Sequence, residues 1–271
     1  MTHKLAVIGV GNMAKAIIAG IQKSDISVSE IILFDKNKDQ YNSLSIGRCP
    51  YSYANSISDA INNADSVLLS VKPQNFTEIL TEISQVEGHH SKLYITIAAG
   101  ITVDSVSVAL SDAEVVRVLP NIPMTIGKGV SVICKNENVS RERFDFVCSV
   151  FASAGSNILI EESDMNKTIG VTSSSPAYVF KFIDAIYKGA LAQGLIEDGL
   201  IDAICDVFIG SALLLKGSGD MPQNFIERVA SKGGTTEQAL NKFDENNIEQ
   251  IVCDAMIACT KRADELGSNK K

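Results

Sequence analysis

The sequence predicts an α/β protein: a doubly wound, mostly parallel sheet with helices on both faces, followed by an all-α region. Three observations predict it. Short apolar runs rich in Val, Ile and Leu recur between amphipathic stretches up to about residue 160, and they read as strands buried on both faces. A glycine-rich turn stands between the first apolar run and the first helical stretch. Past Ile160 the strand-like runs stop, and apolar residues recur at helical spacing.

The first strand is Lys4–Ile8. Gly9-Val10-Gly11-Asn12-Met13-Ala14 follows at once and leads into a helix over Lys15–Ile21. Strand, glycine turn and helix together open a Rossmann-type βαβ unit, the kind that holds a dinucleotide. Gly9 allows the tight turn. Gly11, with no Cβ, lets the backbone approach a pyrophosphate. The free N–H groups at the helix start, around Asn12 and Met13, face that anion. Ala14 stands where a third glycine is usual and is small enough for close packing. A glycine turn with no ligand is the plainer alternative.

A second strand, Glu30–Phe34, ends at Asp35. An acidic residue about two dozen positions past the glycine turn can accept a hydrogen bond from an adenosine ribose 2′-hydroxyl. Asp35 repels a 2′-phosphate, whereas Lys36 and Lys38 attract one. The signals conflict and lean slightly toward NAD over NADP. Ala54-Asn55-Ser56 precedes a short helix, Ile57–Asn63. Ser66–Val71 is a third strand, ended by Lys72-Pro73-Gln74, because proline cannot continue a central strand.

A helix over Asn75–Val86 leads to the strand Leu93–Ile97, which ends in Ala98-Ala99-Gly100. Ligands bind at the carboxyl ends of strands in such sheets. Small residues there leave room for a flat ring, or simply make a tight turn. Thr102 and Asp104 open a helix to Leu110. The strand Val115–Leu119 is broken by Pro120-Asn121-Ile122-Pro123-Met124, a stiff loop suited to holding Asn121 still. Lys128–Cys134 and Ser156–Ile160 read as strands around a helix, Arg141–Phe151.

Long helices are expected over Ser163–Ser174, Pro176–Gly194, Ile196–Lys216, Pro222–Ser231 and Thr235–Leu266. The switch sets a domain boundary near residue 160, dividing the chain into 1–160 and 161–271. Gly170, Gly189, Gly194, Gly199 and Gly210 lie among these helices. Each costs about 0.5–1 kcal/mol in a helix interior, so they read as helix ends or as close helix crossings. So apolar a helical region suggests an oligomer interface. In Ser231-Lys232-Gly233-Gly234-Thr235-Thr236, two glycines and two threonines at a helix start offer N–H groups and hydroxyls to a small carboxylate. An ordinary capped turn is the alternative.

Composition excludes several classes. The net charge is −8 with no basic stripe, which argues against nucleic acid. No apolar run reaches about 18 residues, so no membrane helix is expected. The six cysteines form no C-x-x-C pair and the three histidines have no ligand spacing, so no metal site is read. The expectation is an unprocessed soluble protein in a reducing, cytoplasmic compartment.

Taken together, these residues resemble pyrroline-5-carboxylate reductases over nearly the full length. The most specific element is Ser231-Lys232-Gly233-Gly234-Thr235-Thr236-Glu237-Gln238-Ala239-Leu240-Asn241-Lys242-Phe243-Asp244. Supporting it are Gly9–Met13, Val71-Lys72-Pro73, Ala98-Ala99-Gly100, Arg117–Pro123 and Ser174-Ser175-Pro176-Ala177-Tyr178, each in the right order.

The resemblance implies reduction of the cyclic imine 1-pyrroline-5-carboxylate to proline, with NADPH or NADH as hydride donor. It implies that Asn55, Ser70, Lys72 and Pro73 shape the ribose and phosphate contacts and that Ala98-Ala99-Gly100 passes beside the nicotinamide. Ser174 and Ser175 fall on the substrate side. It also implies a homodimer through the C-terminal helices, joined into larger rings, with the substrate pocket where two helical domains meet.

A protonated imine is already electrophilic, so neither metal nor histidine base is needed. Positioning then dominates catalysis. N–H groups from Gly233 to Thr236 are expected to grip the carboxylate, and the Thr236 hydroxyl to orient the substrate. The chain departs from the family pattern at Ser173 and Ser175, where glycine is usual, and at Lys232, where proline is usual. Two other readings stay open: a related hydroxyacid dehydrogenase, with Lys167 or Lys181 as acid/base, and a nucleotide-binding regulator without turnover.

Overall fold

A computed structural model describes residues 3–268; the sequence-based domain limits at residues 1 and 271, and the reading of an unprocessed N-terminus, lie outside them. The strands are β1 (His3–Ile8), β2 (Val28–Phe34), β3 (Tyr51–Tyr53), β4 (Ser66–Leu69), β5 (Leu93–Thr96), β6 (Glu114–Leu119), β7 (Gly129–Lys135) and β8 (Gly155–Leu159). They form one sheet in the order β3-β2-β1-β4-β5-β6-β7-β8. The helices packed on it are α1 (Asn12–Lys23), α2 (Ile57–Asn62), α3 (Phe76–Ser84), α4 (Val103–Ala109) and α5 (Arg141–Ala152). α6 (Glu162–Met165) follows the last strand.

The two faces of the sheet follow from the two-residue repeat of a strand. Leu5 and Val7 of β1, Ile31 and Leu33 of β2 and Ile95 of β5 point to one face, where Ile17, Ile18 and Ile21 of α1 and Val147, Val150 and Phe151 of α5 cover them. Ala6 and Ile8, Ile32, and Val67 and Leu69 of β4 point to the other, under α2, α3 and α4. Because both faces are covered, both sets are apolar, which explains the unbroken apolar runs. Each such Val, Leu, Ile or Phe side chain contributes about 1.5–3 kcal/mol through burial. Ser56, Thr102 and Ser140 cap α2, α4 and α5 by accepting hydrogen bonds from main-chain N–H groups of the first turn.

The sheet is mostly parallel, as expected, with β7 antiparallel to β6; other expectations are corrected. The stretch 120–128 holds a 3-10 turn, Ile122–Ile126, and is too short for a crossover helix. β3 was not anticipated; three residues are too few to show a repeat. β8 is not a buried run: it ends the sheet, with Ile158 and Leu159 exposed. The helix expected over Ser163–Ser174 is only α6 and a 3-10 turn, Asn166–Thr168.

Residues 3–176 together with 258–268 form one compact unit, and Ala177–Ile257 form a second. The remaining helices are α7 (Ser175–Ala192), α8 (Leu200–Ser218), α9 (Pro222–Val229), α10 (Thr235–Glu245) and α11 (Ile248–Ser268). α10 and α11 were expected as one helix. Asn247, at φ 53°, breaks it, a left-handed residue of the kind that ends helices. Gly194 and Gly199 take positive φ at helix ends, while Gly189 and Gly210 lie within helices. Within the second unit, Phe182 of α7 meets Phe208 of α8 and Phe243 of α10, each at 6.0 Å between ring centroids. No described helix is long and apolar enough to cross a membrane.

Candidate functional site

The sheet has a switch point at β1. Its neighbours are β2 on one side and β4 on the other, with Ile8 in register with both Phe34 and Leu69. The connections leave in opposite directions there, so the carboxyl ends of the three strands open into a crevice. A cavity of about 400 Å³ lies in it, lined by Gly9, Gly11, Asp35, Lys36, Ser70 and Lys72 among others. These six are among the cofactor residues expected from sequence.

The turn is stitched to both neighbouring strands. Gly9 N–H donates to the Phe34 carbonyl at 2.9 Å, and Ser70 N–H donates to the Ile8 carbonyl at 2.9 Å. Gly9 has φ +89°, and a Cβ there would lie 2.6 Å from the Ser70 carbonyl oxygen. Conformation and packing therefore both demand glycine. Gly11 differs: a Cβ there would meet nothing within 4 Å. The protein itself does not need that space, which is open for a ligand.

Gly11 is the N-cap of α1, with no side-chain cap and no acidic residue in the first turn. The first-turn N–H groups, including those of Asn12 and Met13, have no intrahelical partners and carry the positive end of the helix dipole. This is the environment a pyrophosphate requires.

Asp35 is half-buried at the end of β2. Its Oδ2 accepts from Val10 N–H at 2.7 Å and its Oδ1 from Asn37 N–H at 2.8 Å. Its own N–H donates to the Tyr41 phenol oxygen at 2.8 Å. Lys36 pairs with Glu78 at 2.9 Å. Lys15 donates to Gln40 Oε1 and to Ser43 Oγ, each at 2.9 Å.

Other expected residues lie outside this lining. Asn55 is exposed, and its N–H donates to Asp59 at 2.9 Å. Pro73 opens a 3-10 turn, Pro73–Asn75. Ala98 is buried, Ala99 exposed, and Gly100, at φ +73°, lines a separate groove with Thr77 and Thr102. The lining also includes Gln40, Gln74 and Asn75, which sequence reasoning missed. The signal for the last two was their position directly after Pro73, in the 3-10 turn that follows β4.

Asn121 is 7% exposed. Its Nδ2 donates to the Thr172 carbonyl at 3.0 Å, and its Oδ1 accepts from Val130 N–H at 2.8 Å. The amide thus braces the loop against β7 and the segment near Thr172. Ser174 Oγ lies 3.0 Å from Cys259 Sγ, and Ser175 Oγ donates to the Val171 carbonyl at 2.6 Å. Ser173 Oγ is buried without a hydrogen-bond partner. Arg117, named in the sequence only as the start of the Arg117–Pro123 match and given no role, is 2% exposed and bonds Glu162 at 3.2 Å and Asn166 at 3.0 Å. Beside it, burial pushes the Cys134 thiol up to about 12, so it stays neutral and unreactive at physiological pH.

The loop before α10 forms a tight turn. Gly234 N–H donates to the Ser231 carbonyl at 2.9 Å, and a Cβ on Gly234 would lie 2.7 Å from Ser231 Oγ. Gly233 takes φ +74°, and its N–H donates to Glu237 at 2.8 Å. Two of the expected N–H donors are therefore already engaged, Gly233 by Glu237 and Gly234 by the Ser231 carbonyl, which corrects the expectation that all four grip a carboxylate. Those of Thr235 and Thr236 sit in the first turn of α10, which has no side-chain cap.

Two family models match the chain. One, described as pyrroline-5-carboxylate reductase dimerisation, covers residues 162–266; the other, described as NADP oxidoreductase, coenzyme F420-dependent, covers residues 4–100. A pyrroline-5-carboxylate reductase of Haemophilus influenzae is 32% identical, covering 98% of each chain. That of Escherichia coli K12 is 30% identical, over 99% of this chain and 100% of its own. A crystal structure of Plasmodium falciparum pyrroline carboxylate reductase with NADP bound is similar at TM-score 0.85 and 25% identity, covering 98% of each chain.

Proposed function

The chain belongs to the pyrroline-5-carboxylate reductase family, and from that premise we propose how its own residues reduce 1-pyrroline-5-carboxylate to L-proline with NAD(P)H, the last step of proline biosynthesis. The protein is an NAD(P)H-dependent oxidoreductase. The observation that carries the reading is the glycine-lined cavity at the strand switch point, on a chain matched end to end by these reductases.

Gly9 and Gly11 admit the dinucleotide backbone, and the N–H groups of Asn12 and Met13 hold its pyrophosphate. Asp35 takes a ribose hydroxyl, with Lys36, Ser70, Lys72, Pro73 and Asn55 shaping the same half. Ala98-Ala99-Gly100, at the end of β5, leaves room for the nicotinamide. When bound, the reduced cofactor supplies the hydride. The protein has only to hold a protonated imine still.

The substrate carboxylate is held by the N–H groups of Thr235 and Thr236, which the turn at Gly233 and Gly234 presents at the start of α10. The Thr236 hydroxyl orients the ring. Ser174, Ser175 and the rigid Asn121 loop shape the substrate side. In this reading residues 1–160 are the nucleotide domain and 161–271 the dimerisation and substrate domain. The chain is a homo-oligomer, and the reading extends this to dimers through the C-terminal helices joined into a ring, in the cytoplasm.

The test is pyrroline-5-carboxylate-dependent oxidation of NADH and NADPH by the purified chain. One dinucleotide oxidised per imine reduced is expected. Oxidation of hydroxyacids in its place, or dinucleotide binding with no imine reduction, would overturn the reading.

A further inference from the structure

We propose that Asp35 determines cofactor specificity and makes this chain prefer NADH over NADPH. The proposal rests on the reading of the cavity as the dinucleotide site. Asp35 lines that cavity with Gly9 and Gly11, and three contacts fix it. Oδ2 accepts from Val10 N–H at 2.7 Å, Oδ1 accepts from Asn37 N–H at 2.8 Å, and its main-chain N–H donates to Tyr41 at 2.8 Å. The carboxylate cannot swing aside without giving up both main-chain donors.

A carboxylate is acceptor-only, with about two lone-pair sites on each oxygen. One site on each oxygen is taken by main-chain N–H. One on each is left, which suits the two adjacent hydroxyls of an unmodified ribose. A 2′-phosphate offers the opposite chemistry. Its second pKa is about 6, so at neutral pH it brings mostly negative charge and little hydrogen to donate. It would have to lie against a fixed anion.

The cations nearby do not reverse this. Lys36 is paired with Glu78, and Lys15 is tied to Gln40 and Ser43. Lys38, at the start of the 3-10 turn Lys38–Ser43, and Lys72, which lines the cavity, are both exposed, where water and salt screen them. A flexible surface lysine yields only a few-fold gain. The pinned carboxylate acts at contact distance.

The test measures dissociation constants of NADH and NADPH directly, by calorimetry on wild type and on Asp35→Ser, together with kcat/KM for each. Wild type is expected to bind NADH more tightly by about tenfold or more, the worth of a charge-assisted hydrogen bond. Asp35→Ser is expected to bring the ratio near one or invert it, mainly by improving NADPH. Asp35→Asn removes the charge but keeps an acceptor for Val10, so it replaces the serine variant if that one misfolds.

Wild type binding NADPH as tightly as NADH, or an unchanged ratio in the folded variant, overturns the proposal. If neither dinucleotide binds wild type, the cavity reading falls with it. If both bind in the expected ratio but the imine is not reduced, the catalytic reading falls and the specificity stands.

Discussion

Phe151 and Leu213 are both large apolar residues on helices, yet Phe151 is 0% exposed and Leu213 is 64% exposed. The contrast runs through both regions. In the sheet region each helix lays one apolar face on the strands, and the cores close within a single copy. α8 instead leaves Val207, Ile209, Leu213 and Leu214 exposed, with Ile204 its buried residue. So wide an exposed apolar surface on one helix marks a face that another surface covers. In a homo-oligomer, that surface is supplied by another copy. The first region buries its own core; the second carries large apolar side chains exposed.

The largest effect should come from breaking the self-contained side. Phe151→Ala is expected to cost about 3–5 kcal/mol, read from denaturant unfolding, with no dependence on protein concentration. A smaller effect is expected from Leu213→Asp. On a lone exposed surface it would change stability by about 0.5 kcal/mol or less. If a second copy covers α8, it buries an unpaired charge. Light scattering after size exclusion should then show a monomer, with a melting temperature that no longer rises with protein concentration. An intact oligomer would show that the exposed apolar face of α8 serves another purpose.

The two regions also differed in how well they could be read. The strands between the sheet's two edges, and α1 to α5, were legible because a strand buried on both faces writes an unbroken apolar run, and because Ser56, Thr102 and Ser140 mark helix starts. The cavity was legible through Gly9, Gly11 and Asp35, since a turn and a strand end are local features. The antiparallel pairing of β6 and β7 was not, because pairing is a contact between distant segments. Nor was the engagement of Gly233 N–H by Glu237, or of the Asn121 amide by Thr172 and Val130. Residue type announces a polar group; only the fold shows who already holds it. The break at Asn247 was legible in principle, because asparagine readily takes the left-handed conformation that ends a helix.

The most direct test of the division of labour, with the dinucleotide held by the glycine turn of the first region and the substrate oriented by the second, is Thr236→Ala, measured for both kcat and NAD(P)H affinity. The account predicts that kcat falls about a hundredfold, the scale of a lost proton-positioning contact, while the dinucleotide dissociation constant stays the same. An unchanged kcat, or a loss of dinucleotide affinity equal to the loss of rate, would contradict it.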